Sequence, residues 1–81
     1  MVKVRYFGMI RMNIKQSFDE IDAESIGELV KKISLKYDIK YNELKNSVIL
    51  INGKNMMNLK GLKTELYNGD EVQMLSPVAG G

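Results

Sequence analysis

Ser25-Ile26-Gly27-Glu28-Leu29-Val30-Lys31-Lys32-Ile33-Ser34-Leu35-Lys36 reads as a single amphipathic helix. Ser25 and Glu28 have the spacing of a capping box, in which the serine hydroxyl accepts from the Glu28 N–H and the Glu28 side chain returns the bond. Ile26, Leu29, Val30 and Ile33 then share one face. Glu28 and Lys32 form an i,i+4 pair, and Lys31, Lys32 and Lys36 suit the negative end of the helix dipole. One helix with one apolar stripe must bury that stripe on another element, and the flanking sequence supplies strands.

Upstream, Val2, Val4 and Tyr6 alternate with Lys3, Arg5 and Phe7, the period of a half-buried strand. Gly8 breaks the run, and a second alternation follows from Met12 to Phe18. The short Gly8–Arg11 connection predicts an antiparallel hairpin, with Met9 and Ile10 either folded onto the sheet or left exposed for a partner. Asp19 to Glu24 reads as a polar connection into the helix.

Downstream, Asn42 to Lys45 reads as one helical turn. Val48-Ile49-Leu50-Ile51 is a continuous apolar run before the turn signal Asn52-Gly53, which predicts a central strand buried on both faces. Lys54 to Met57 is expected as a short edge strand, and Leu59 to Leu66 as a connection anchored by Leu62 and Leu66. Tyr67-Asn68-Gly69-Asp70 is a turn with Asn68 or Gly69 at positive φ. Glu71 to Ser76 is the last strand, with Val72 and Met74 inward. The order β-β-α-β-β-β predicts an α+β domain over residues 1–76. One mixed sheet of four to five strands packs on one main helix, about 26–36, which is the β-grasp (ubiquitin-like) architecture.

Composition narrows the function. A net charge of +2, with the twelve Lys and Arg scattered, argues against nucleic acid and anionic membranes as partners. There is no Cys and no His, so disulfides, thiolate nucleophiles and the commonest metal ligands are absent and no metal site is expected. Catalysis by the chain's own side chains is not expected, nor is a stably bound cofactor. Charged residues alternate into the first strand, leaving no room for a signal peptide's apolar stretch, so a cytoplasmic protein is expected.

The segment after the last strand, Pro77-Val78-Ala79-Gly80-Gly81, is expected to be a flexible tail. Pro77 cannot donate to a ladder and helps end the strand. Two glycines without Cβ atoms let an enzyme close around the backbone, and the group so delivered is the Gly81 carboxylate. A carboxylate is a poor electrophile. Its use requires activation, most simply as a mixed anhydride with AMP, before capture by sulfur or by an amine.

The first strand Val2–Phe7, the capped helix from Ser25, the run ending Ile51-Asn52-Gly53, and the closing Asn68-Gly69-Asp70-Glu71-Val72 with Ser76 to Gly81 together resemble the MoaD/ThiS group of ubiquitin-like sulfur carriers. The resemblance spans essentially the whole chain. It implies that a ubiquitin-activating-enzyme-like partner uses ATP to adenylate Gly81 and that a sulfur donor converts it to a thiocarboxylate. Pro77, Val78, Ala79 and Gly80 would fit the partner's channel. In the MoaD branch, which Tyr6-Phe7 and the Pro77-Val78 exit resemble more, the sulfur is delivered in the large catalytic subunit of molybdopterin synthase. The chain departs from that branch at Ser76, where a first proline is common, and at Ala79, where serine is common.

Strand alternation places Phe7 opposite Val4 and Tyr6, and Leu75 opposite Val72 and Met74. Because the first and last strands of a β-grasp sheet are neighbours, Phe7 and Leu75 are expected to form a partner-docking patch. Three functions stay open at this point. The chain is a sulfur carrier for molybdopterin, thiamine or another pathway; a protein modifier joining Gly81 to lysines; or an interaction module with an incidental Gly-Gly.

Overall fold

In the computed structural model, which describes residues 1–76, the alternation of Val2–Phe7 becomes strand β1, with Val2, Val4 and Tyr6 buried and Lys3, Arg5 and Phe7 outward. Strand β5 (Glu71–Leu75) runs parallel to it, and β3 (Val48–Ile51) runs antiparallel to β5 on the far side. Strands β2 (Phe18–Ile21) and β4 (Lys54–Asn55) form the edges, giving one mixed five-stranded sheet in the order β2-β1-β5-β3-β4. The long helix α2 (Ile26–Tyr37) lies across one face and buries Ile26, Leu29, Val30 and Ile33 against Val4, Tyr6, Val72, Met74 and Ile49. Each such side chain contributes roughly 1.5–3 kcal/mol when fully buried. This is the β-grasp fold.

The Ser25 hydroxyl caps α2 by accepting from the Glu28 N–H at 3.2 Å, while the Glu28 carboxylate pairs with Lys32 at 3.3 Å instead of returning to Ser25. A Cβ on Gly27 would come within 3.2 Å of the Leu62 carbonyl, so the turn at residues 61–63 is seated on a helix position without a side chain. Leu66 is buried and Leu62 packs partly against the core. Asn52 and Gly53 both take positive φ, 51° and 86°, as the tight β3–β4 hairpin requires. Gly69, at φ 91°, takes the same role before β5.

Several expectations are corrected. The segment from Gly8 is not a turn followed by a strand from Met12 to Phe18 but helix α1 (Gly8–Ile14), ended by Lys15 at φ 62°. Ile10 and Ile14, four residues apart, both bury, whereas Met9 is 42% exposed; helical spacing prevailed over the accidental alternation of 12–18. The polar residues from Asp19 are not all connection, because Asp19 to Ile21 belong to β2. Val48–Ile51 is buried on one face only, with Ile49 and Ile51 inward and Val48 39% exposed. No second layer of described residues covers the outer face of the sheet. The helical turn at Asn42–Lys45 is a short helix, α3 (Tyr41–Lys45), and β4 stops at Asn55 because Met56 turns into a 3-10 segment and buries.

Candidate functional site

Parallel pairing of β1 and β5 sets the geometry of the site. It puts the end of β1, the start of α1 and the end of β5 at one rim of the sheet. The register pairs Lys3 with Glu71, Arg5 with Gln73 and Phe7 with Leu75, and β3 continues the last rung because Val48 pairs with Leu75. Phe7, Leu75 and Val48 therefore form a three-residue apolar row on the open face. Phe7 is 38% exposed and Leu75 half-buried. Beneath this row Arg5 lies 5.4 Å over the Phe18 ring and 3.4 Å from the Glu71 carboxylate. The exposed Met9 and Met12 of α1 continue the apolar character past the rim.

Sequence reasoning singled out Phe7 and Leu75, and the structure brings them together. It did not single out Val48, hidden in a run read as doubly buried, nor Ser76. Ser76 is the last described residue, and its hydroxyl accepts from the Ile10 N–H at 3.1 Å. Gly8, at φ 66°, lets the two segments approach: a Cβ there would sit 3.3 Å from the Ser76 carbonyl oxygen. Pro77, Val78, Ala79, Gly80 and Gly81, with the roles and the flexibility expected of them, lie outside the described residues.

The other cluster with perturbed chemistry is at Asp19, on the helix side of the sheet. Its carboxylate accepts from the Tyr6 hydroxyl at 3.0 Å, from the Tyr37 hydroxyl, and from Lys36 at 2.9 Å. Burial alone would raise the Asp19 pKa, but the bonds from Tyr37, Lys36 and Tyr6 outweigh it and hold the carboxyl below its ordinary range. Burial, then the adjacent Asp19 charge, pushes the Tyr6 hydroxyl well above its ordinary range. The two tyrosine rings meet edge-to-face at 6.2 Å. A perturbed carboxylate often marks a reactive site, but here donors from β1 and α2 already engage it. The cluster ties β2 to the helix.

A β-grasp domain whose last strand ends at an open apolar rim, with two glycines five residues on, belongs among the ubiquitin-like carriers and modifiers. The comparisons give the particular family: the ThiS family model matches residues 4–81, and this chain belongs to that family. A protein of Archaeoglobus fulgidus, provisionally described as a sulfur carrier protein, is 36% identical over 93 residues, covering 99% of this chain and 98% of that one. The solution structure of small archaeal modifier protein 1 from Methanosarcina acetivorans superposes with a TM-score of 0.85 at 30% identity, covering 99% of this chain and 95% of that one. Subunit 1 or 2 of the molybdopterin-converting factor of Helicobacter pylori, solved as a protein–protein complex, matches with a TM-score of 0.66 and 31% identity over 99% of this chain and 97% of that one. Members of this family are small carrier and modifier proteins rather than catalysts. No helix among the described residues is long and apolar enough to cross a membrane.

Proposed function

We propose that this chain is a sulfur carrier acting through the Gly81 carboxylate, in the synthesis of molybdopterin. An adenylating partner resembling ubiquitin-activating enzymes joins the carboxylate to AMP from ATP and releases pyrophosphate. A sulfur donor then supplies a hydrosulfide equivalent that displaces AMP and leaves a thiocarboxylate. Delivery of that sulfur to a pterin precursor, in the large catalytic subunit of molybdopterin synthase, returns the carboxylate. The domain contributes no catalytic side chain to any of these steps; it presents the tail and docks.

The observation that carries this reading is the rim itself. The strand leading to Pro77–Gly81 is held between two others, and it ends beside a partly exposed row of Phe7, Leu75 and Val48. A reactive end needs a rigid base and an adjacent docking surface, since positioning is what an enzyme acting on a chain terminus must secure. The likeness to a molybdopterin-converting-factor subunit solved in a complex supports a protein partner. The likeness to a small archaeal modifier protein favours a second reading, in which an amine captures the adenylate and Gly81 is joined to lysines of other proteins. Both readings require adenylation.

The test is ATP–pyrophosphate exchange by the adenylating enzyme of the same cell. Adding one alanine after Gly81 is expected to abolish exchange and leave the fold intact, because the reacting carboxylate must sit about 3 Å from the α-phosphate. Undiminished exchange by the extended chain would exclude the carboxylate mechanism. Recovery of lysine-linked conjugates would move the conclusion to the modifier reading.

A further inference from the structure

Helix α1 lacks a cap of its own. The residue at its N-cap position is Phe7, whose side chain makes no capping bond and belongs instead to the outer row of the sheet. The first N–H groups of any helix have no partner within the helix, and the third is usually met by a hydroxyl or carboxylate on the N-cap residue. Here the third is Ile10, and its N–H donates at 3.1 Å to the Ser76 hydroxyl, 66 residues away along the chain. From just past the end of β5, Ser76 does what the N-cap side chain would ordinarily do. The close approach is built in, since Gly8 leaves room for the Ser76 backbone where a Cβ would lie 3.3 Å from its carbonyl oxygen.

We infer that Ser76 is a positioning residue: its hydroxyl, held by the Ile10 N–H, fixes the chain at the last point before Pro77–Gly81. This inference rests on the carrier reading, because a fixed root matters only if Gly81 must reach a reacting site. Five residues span at most about 18 Å. An error in the position or direction of residue 76 is therefore carried directly to the carboxylate. A root already ordered also spares the complex the entropy of ordering it on binding. The arrangement couples two demands on one rim: Phe7 faces outward while Ser76, one residue past β5, supplies the cap.

The experiment compares the wild-type chain with Ser76→Ala and Ser76→Thr. Amide hydrogen exchange at Ile10 is followed by NMR, and ATP–pyrophosphate exchange with the adenylating enzyme of the same cell gives kcat and KM for the carrier. In Ser76→Ala the Ile10 amide is expected to exchange about tenfold faster, as one lost cap implies. KM should rise about fivefold with kcat within about twofold, as for a cost confined to ordering the bound tail. Ser76→Thr, which keeps the hydroxyl, should restore both. Unchanged Ile10 exchange in Ser76→Ala would overturn the anchor. Faster exchange with unchanged KM would overturn its role in positioning. Failure of the wild-type chain itself to be adenylated would overturn the carrier reading beneath it, and the Ile10 measurement keeps that outcome distinct from failure of the anchor.

Discussion

Phe7 and Leu75 are register partners in the parallel pairing of β1 and β5, on the last rung before the chain reaches Ser76. Both point away from the helix, and Val48 extends the row across β3. An aromatic anchor in such a row often dominates the energy of an interface. Phe7→Ala is expected to weaken binding to the proposed large catalytic partner by at least about 1 kcal/mol, read by titration calorimetry. Its folding stability in urea should fall by less than that, well short of the ~3 kcal/mol typical of a buried Phe. Unchanged affinity would remove Phe7 from the docking surface.

Asp19 has the opposite character, a carboxylate turned inward and engaged by three donors. Asp19→Asn should cost about 2 kcal/mol at neutral pH, since hydrogen bonds to a charged acceptor are among the stronger ones. The folded-state pKa is lowered, so the wild-type chain holds more protons unfolded than folded near that range. The stabilising contribution is fully present above the unfolded value of about 3.9 and is lost as pH falls through the lower folded one. Thermal melts below about pH 5 should show the wild-type Tm falling more steeply than that of Asp19→Asn. Parallel curves would mean that Asp19 is not the responsible group.

Gly8 carries two constraints, a φ of 66° and the nearby Ser76 carbonyl. Gly8→Ala should therefore destabilise the domain by roughly 1–2 kcal/mol, the cost of a left-handed backbone for a residue with a Cβ. Equilibrium urea unfolding measures it directly. A neutral or stabilising effect would mean that the Gly8–Ser76 contact is loose.

Features decided by local spacing were legible in the sequence. Helix α2 follows from the Ser25 cap and its apolar stripe, and the β3–β4 hairpin from Asn52-Gly53. The inward faces of β1 and β5 follow from alternation, and with them the outward placement of Phe7 and Leu75. Features decided by distant partners were not. Helix α1 shows only two buried residues, Ile10 and Ile14, and part of its N-terminal hydrogen bonding comes from Ser76. Asp19 looked like loop because its neutralising donors sit on β1 and α2, 13 to 18 residues away. Val48 looked buried because its neighbours are, and the sequence does not record that no layer of described residues covers the outer face. Ser76 carried no local signal: a serine before a proline says nothing of a helix N–H 66 residues back.

Gly81 as the carrier of activated sulfur is put to the test by the intact mass of the protein purified from its native cell. The expected result is a fraction of the chain heavier by the substitution of one sulfur for one oxygen, lost on mild hydrolysis and absent when an alanine follows Gly81. A single species at the mass of the free carboxylate, in cells actively making the cofactor, would contradict the carrier function.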